Sequence, residues 1–191
     1  MVGRIGLILL AALSAPAAAM AGEPVILSSA SPEEIRDRLL PGHADDGALT
    51  RGLLVQPVGA SIQAPDGAKT VNAYGDTLAA TVNLAVTFRL NSAELTPEAR
   101  ALLDSLGAAL ESPDLAPHRF VVGGHTDATG AADANLALSE RRAAAAIRYL
   151  EERFGIAADR LTLRAFGETA LLFPDQPTDG RNRRVEISTL R

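Results

Sequence analysis

The stretch "RFVVGGHTDATGAADANLALSERRAAAAIRYLEERFGI", residues 119–156, contains the strand-to-helix transition from which the rest of the fold can be worked out. The apolar run that ends at Val122 predicts a short strand, since two glycines follow it at once. The polar residues 125–127 are then expected in a loop at the carboxyl end of that strand. An alanine-rich segment predicts a long helix over Ala132–Phe154, with Gly155 as its C-cap.

Further apolar segments flank this stretch on both sides. Strands are predicted for "TVNLAVTF" (81–88), "RLTLRAF" (160–166) and "RRVEIS" (183–188). A second helix is predicted for "TPEARALLDSLGAAL" (96–110), because Thr96 is a good N-cap and a proline follows it. Strands that alternate with helices predict an α/β fold, an α+β sandwich in which helices pack on one face of a sheet.

The helical and strand periods also predict which side chains face the core. On the long helix the predicted buried stripe consists of Leu136, Ala143, Ile147 and Leu150. Asn135 and Arg142 are seven residues apart, so they lie close together at the rim of that stripe, with Leu138 near them. In the last strand, alternation places Arg183 on the inward face with Val185, and Arg184 on the outward face. We expect Arg183 to brace the neighbouring loops.

The chain divides into three regions by composition. Residues 1–21 resemble a secretory signal peptide, with Arg4, an apolar run and small residues before a cleavage point after Ala21. An uncleaved membrane anchor is the alternative, although the apolar run is short for a span. Residues 22–80 form an N-terminal region with a short helix after Ser31 and possible short strands. Residues 81–191 form the α/β domain, and no later segment is long and apolar enough to span a membrane.

Composition excludes several classes of function. The 191 residues carry a formal net charge of -5, which argues against a general nucleic-acid binder. The chain has no cysteine, so disulfide scaffolds, thiolate nucleophiles and cysteine zinc sites are excluded. The three histidines form neither an H-x-x-x-H nor an H-E-x-x-H pattern, and no G-x-S-x-G motif is present. We therefore expect no metal site, no cofactor and no serine hydrolase.

The loop after the second strand of the α/β domain is the candidate site. Glycines there allow close backbone approach, and Asp127 should lie near Arg142 on the following helix. An aspartate and an arginine that converge on one cleft suit a zwitterion, since the carboxylate binds an ammonium and the guanidinium a carboxylate. Three alternatives remain open. Asp127 could cap local amides, Asp127 and Arg142 could pair with each other, or Arg142 could be a solvated helix charge.

These residues resemble the signature of the OmpA-like C-terminal domain family. The pattern GHTD, then G, then N-x-x-L-S-x-x-R-A matches residues 124–143, and "FRLNSAELTPEA" and "GRNRRVEIS" resemble the family's first and last strands. The resemblance covers roughly residues 81–189. It implies a βαβαββ order with a mixed sheet, and a non-catalytic function, the binding of peptidoglycan through the diaminopimelate of its stem peptide.

The resemblance also assigns site residues. The family's charged pair falls on Asp127 and Arg142, and its two asparagines fall on Asn135 and Asn91. Thr126 and nearby backbone N–H groups would complete the ligand site, and Leu138 lies beside them. The residues expected to support the site are His125, Gly124 and Arg183.

Function, partners and location follow as expectations from this resemblance. The chain would be a periplasmic protein, associated with the cell wall or outer membrane, that tethers itself or an envelope protein partner to peptidoglycan. Relatives of such domains can form homodimers. Two alternatives stay open: a cell-wall hydrolase that uses His125 and Asp127, and a scaffold module that mainly binds protein.

Overall fold

The structure is a computed structural model that describes residues 24–41, 70–89 and 92–191. The predicted signal peptide and the candidate ligand residue Asn91 lie outside the described residues. Within them, the strands are β1 (Ile26–Leu27), β2 (Thr70–Val71), β3 (Thr77–Leu84), β4 (Phe120–His125), β5 (Leu161–Gly167) and β6 (Val185–Leu190). The helices are α1 (Pro32–Leu39), α2 (Pro97–Leu110) and α3 (Ala132–Phe154), with 3-10 turns at Ala158–Arg160 and Gly180–Asn182.

The strands form one mixed sheet in the order β1-β3-β6-β4-β5, with β2 paired to the start of β3. The last strand, β6, lies between β3 and β4 and is antiparallel to both. The pair β4–β5 is parallel and is connected by α3, as a parallel crossover requires. From β3 onward the described elements follow the predicted order βαβαββ, and the predicted fold class is confirmed.

The helix ends follow from local chemistry. The side-chain oxygen of Thr96 accepts a hydrogen bond from the backbone N–H of Ala99, and Pro97 is the first residue of α2. Ser31 caps α1 in the same way through the N–H of Glu34. Gly155 ends α3 in the left-handed conformation, with φ at 64°. The predicted caps at Thr96 and Gly155 are confirmed, and so is the short helix predicted after Ser31.

The main core lies between one face of the sheet and the three helices. The sheet contributes alternate apolar residues: Val82, Leu84, Phe120, Val122, Val185 and Ile187. The helices contribute Ile35, Leu39, Leu102, Leu103, Leu106, Leu110, Ala143 and Leu150. No helix in the described parts of the chain is long and apolar enough to cross a membrane.

The strand β4 extends further than its sequence predicts. It continues through both glycines to His125 instead of ending at Val122, and neither glycine turns the chain. A Cβ atom at Gly124 would lie 2.1 Å from the carbonyl oxygen of Ser139 in α3. The predicted position of these glycines after the end of the strand is therefore wrong, and Gly124 has a role in packing. Its missing side chain lets α3 approach the sheet instead.

The buried face of α3 is rotated from the predicted stripe. Leu136 is 45% exposed, whereas Asn135, Ser139 and Arg142 are buried. The close contact at Gly124 explains the difference, because it directs the face that carries Ser139 toward β4 and turns Leu136 outward. The candidate residues Asn135 and Arg142 thus lie on the buried face and not at its rim.

The Gly124→Ala variant should be strongly destabilised, because its Cβ would collide with backbone atoms that cannot rotate away. We expect a loss of roughly 3 kcal/mol in the free energy of unfolding, measured by urea denaturation. Gly123→Ala is the matched comparison, since its Cβ would meet a Phe166 ring atom at 2.9 Å and a side chain can shift. Equal losses in the two variants would contradict this explanation of the contact.

Candidate functional site

Asp127 lies in the loop between β4 and α3, and it is 7% exposed. Its Oδ1 accepts a hydrogen bond from the backbone N–H of Thr129 at 3.1 Å, a local turn contact. Its Oδ2 accepts a hydrogen bond from Nη1 of Arg183, which completes an ion pair. Asp127 thus caps a local amide, which was one of the open alternatives. It also pairs with the Arg183 guanidinium, which comes from a distant part of the chain.

Arg142 projects from α3 toward the same region. Its Nε donates to the carbonyl oxygen of Ser92 at 3.2 Å, and its guanidinium carbon lies 5.0 Å from the ring centroid of Phe88. Burial lowers the pKa of Arg142, and the nearby Arg183 cation lowers it further. Among the described residues Asp127 forms its ion pair with Arg183 and none with Arg142, so the alternative that pairs Asp127 with Arg142 is wrong.

A cleft of about 500 Å³ opens beside Arg142 and Arg183, and Asp127 is not among its lining residues. Four arginines line it: Arg142, Arg181, Arg183 and Arg184. The remaining lining residues are His125 and Gly180, the segment Ala85–Phe88, Phe173, and Pro24, Ile26 and Ser28 from the N-terminal region. The cleft is therefore cationic with apolar walls, and it suits a ligand that carries a carboxylate.

Asn135 organises the Asp127 loop from the first turn of α3. Its Nδ2 donates to the carbonyl oxygens of Asp127 and Thr129, each at 3.2 Å, and to a carboxylate oxygen of Glu168 at 2.6 Å. The side-chain amide is thus occupied within the protein. Neither Asn135 nor the half-buried Leu138 lines the cleft. The geometry accordingly gives Asn135 a positioning role.

Thr126 is buried beside this loop. Its backbone N–H donates to the carbonyl oxygen of Gly167 at 2.9 Å, which joins the end of β4 to the end of β5. Its hydroxyl has no hydrogen-bond partner within the described structure, although the residue is only 2% exposed. A buried hydroxyl without a partner is costly, so the Thr126 side chain is an unsatisfied polar group beside Asp127, although it does not line the cleft.

His125 is fully buried and faces the side of the sheet away from the helices. Its ring stacks on Phe166 with centroids 4.7 Å apart, and its Nδ1 lies 3.2 Å from the carbonyl oxygen of Ala170. Its Nε2 lies 3.5 Å from a carboxylate oxygen of Glu186. Burial lowers the pKa of His125 well below its usual value of 6.5, and the Arg184 cation lowers it further. The imidazole is consequently neutral at neutral pH.

Arg184 is the largest departure from the sequence prediction. Its side chain is completely buried instead of facing solvent, and it donates to Asn83 at 2.8 Å and to Glu186 at 3.3 Å. Burial raises the pKa of Glu186, although the guanidinium opposes this shift. Arg183, predicted to face inward, has a side chain that is 53% exposed and bonds Asp127.

Strand alternation correctly separates Arg183 from Arg184, but it cannot show which face is covered. The loop between β5 and β6 lies over the sheet on the side opposite the helices, where Leu172 and Phe173 are buried. That covering buries Arg184. The sequence did contain one indication of this buried ion pair. Arg184 and Glu186 are two residues apart, so a strand places both charges on the same face.

The described residues contain no group of three His, Cys, Asp or Glu side chains that could hold a metal ion. His125 is enclosed by Phe166, the Ala170 carbonyl and Glu186. The side chains that face the cleft bring charge and shape to it. We therefore interpret this arrangement as a binding site for a charged ligand.

His125 should make the protein sensitive to acid. Because its folded-state pKa lies below 6.5, its contribution to stability is complete above that pH and is lost as the pH falls through the folded pKa. We expect the free energy of unfolding to fall by up to about 1.4 kcal/mol per pH unit in this window. Urea denaturation between pH 4.5 and 7.5 measures it.

His125→Gln is the control for this pH dependence, because glutamine does not titrate. Glu186, whose pKa is raised, acts in the opposite sense above 4.5 but is present in both proteins. The difference between the two pH curves therefore isolates the histidine. If both proteins lost stability with the same slope below pH 6.5, His125 would not be the responsible group.

Comparison with known proteins agrees with this fold. The sequence profile of the OmpA family matches residues 87–184. Outer membrane protein A of Shigella flexneri is 37% identical over 128 residues, which cover 65% of this chain and 35% of that protein. The peptidoglycan-associated lipoprotein of Pseudomonas aeruginosa is 36% identical over 102 residues, 52% of this chain and 58% of that protein. The chain thus spans only part of the length of these curated relatives.

A solved structure supports the fold independently. The OmpA-like domain of FopA1 from Francisella tularensis subsp. tularensis SCHU S4 superposes with a TM-score of 0.50 at 24% identity. The alignment covers 71% of this chain and 94% of that domain. The profile match spans the site loop, α3 and the Arg183–Arg184 pair, which are the parts that build the cleft. The chain belongs to the OmpA family.

Proposed function

We propose that this protein is a non-catalytic peptidoglycan-binding module of the cell envelope. Its charged cleft would bind the free amino acid end of diaminopimelate in a stem peptide. The observation that carries the proposal is that Arg142 and Arg183 line one cleft, and that Asp127 forms an ion pair with Arg183, in a member of the OmpA family. An ammonium and a carboxylate on one carbon require opposite charges held a short distance apart.

The proposed ligand contacts divide between the two signs of charge. Arg142 is held by the Ser92 carbonyl and by Phe88, and it has no carboxylate partner among the described residues, so it is available for a ligand carboxylate. A carboxylate can accept about four hydrogen bonds, and Asp127 uses one oxygen for Thr129 and the other for Arg183. Asp127 therefore keeps acceptor capacity for a ligand ammonium. Thr126 would bond the ligand through its unpartnered hydroxyl.

The names of the relatives support the biological setting. Two of them are called outer membrane protein A and peptidoglycan-associated lipoprotein. A domain of this family with a cationic cleft would keep its protein near the cell wall of the periplasm. The module would tether its own N-terminal region, or an envelope protein partner, to that wall.

Hydrolysis is the less favoured alternative. A general base must reach the proton that it abstracts, and His125 is 2% exposed with both ring nitrogens facing protein groups. Asp127 forms an ion pair with Arg183, and the Nδ1 of His125 faces the Ala170 carbonyl instead. The two residues thus lack the nucleophile-and-base geometry that an acid–base pair needs.

Binding to purified sacculi tests the proposal. Asp127→Ala and Arg142→Ala should each weaken binding by roughly 30-fold or more, because a lost partner leaves a charge unpaired at a cost of about 2–5 kcal/mol. Free diaminopimelate should compete with sacculi for the wild-type protein. Affinity is measured by pull-down at a series of protein concentrations.

The matched control residues lie on α3, the helix that carries Arg142. Asp133→Ala and Arg141→Ala remove exposed charges of the same kind and should leave affinity within about twofold of wild type. If Asp127→Ala and Arg142→Ala also bound like wild type, the scaffold alternative would be favoured over this site.

The same incubation separates binding from hydrolysis. A binding module should sediment with the sacculi and leave no soluble muropeptides in the supernatant, which chromatography would detect. Release of fragments by the wild type, abolished in His125→Gln, would overturn the non-catalytic proposal and support the hydrolase.

A further inference from the structure

One wall of the cleft comes from outside the region that matches the family. Pro24, Ile26 and Ser28 all line the cleft, although the family profile begins at residue 87. They belong to a short extended segment that contains β1. The cleft is therefore assembled from the family domain and from a segment far from it in sequence.

This segment is held in place by the sheet and by the core. Ile26 and Leu27 pair in parallel with Asn83 and Leu84 of β3, and the N–H of Ala85 donates to the carbonyl oxygen of Leu27 at 2.8 Å. Leu27 is 8% exposed and packs in the main core. The side chain of Leu27 thus anchors the segment without contributing to the cleft.

Alternation along the segment explains its cleft face. In an extended chain every second side chain points the same way, so Pro24, Ile26 and Ser28 share the side opposite Leu27. All three are cleft-lining residues, and Leu27 is not. Val25 points to the other side of the segment from Ile26, and it is 42% exposed. The segment therefore presents one continuous, largely apolar strip to the cleft.

Other residues of the family domain add apolar surface to the cleft beside its arginines. Val86 and Phe88 follow β3, and Phe173 comes from the loop before β6. Arg142 lies against the Phe88 ring, so the apolar strip and the proposed carboxylate site are adjacent. A peptide ligand whose charged amino acid end is followed by an apolar group would contact both regions at once.

We propose that Pro24, Ile26 and Ser28 form a ligand-contacting wall, and that Ile26 selects ligands in which an apolar group of the attached peptide lies beyond the charged amino acid end. This inference rests on the proposed function, because the charged end is the one that Asp127 and Arg142 would bind. The wall would contact the peptide that continues from diaminopimelate, and the charged clamp would contact diaminopimelate itself. The N-terminal segment would then determine specificity at this site.

Ile26→Ser tests the proposal against two probes, purified sacculi and free diaminopimelate. Loss of the apolar contact should weaken sacculus binding by about tenfold, since a tenfold change corresponds to about 1.4 kcal/mol, within the range for burial of an aliphatic side chain. The affinity for free diaminopimelate should stay within twofold. Ile26→Leu keeps an apolar group and should bind sacculi like the wild type.

Val25→Ser is the matched control, because it makes a similar change at the next residue, which does not line the cleft. Urea denaturation of each variant checks that β1 stays folded, as the Leu27 anchor is unchanged. Unaltered sacculus binding by Ile26→Ser, an equal loss in Val25→Ser, or an equal loss for both probes would each overturn the proposal. Wild-type protein that failed to bind sacculi would instead overturn the proposed function.

Discussion

The arrangement of the site depends on the close contact between α3 and the end of β4. The missing side chain of Gly124 allows the Ser139 carbonyl to lie against the strand, and the Ser139 hydroxyl accepts a hydrogen bond from the N–H of Gly167 at 3.0 Å. This contact fixes both the height and the rotation of α3 on the sheet. Asn135, one turn earlier, then meets the loop, and Arg142, about one turn later, reaches the cleft.

Three of the four arginines that line the cleft are held in different ways. Arg183 bonds Asp127, Arg142 lies on Phe88, and Arg184 is held by Asn83 and a buried carboxylate. Like charges that were free to move would spread into solvent, because their repulsion and their desolvation both oppose burial. The separate anchors keep the cations close together, and this is the preorganisation that recognition of an anionic group needs.

Local patterns predicted most of the fold because short-range chemistry sets them. The caps at Thr96 and Gly155 depend on residues within one turn. The strands and helices were predicted from the spacing of apolar residues along the chain, which is also a local pattern. The site was predicted in part. Asp127 and Arg142 do converge on one region, but the pattern of α3 put Leu136 in the core, since periodicity counts apolar residues and cannot register a close backbone contact.

The sequence by itself determined the order of the elements, the helix caps and the motif that identifies the family. Only the tertiary structure decided that Asp127 pairs with Arg183, 56 positions away, and that Arg184 is buried. It also brought Ile26 to the cleft. These contacts join strands and loops that are distant in the chain, and they depend on sheet order and on which face a loop covers. Local patterns carry no information on either, because both are set by packing of the whole domain.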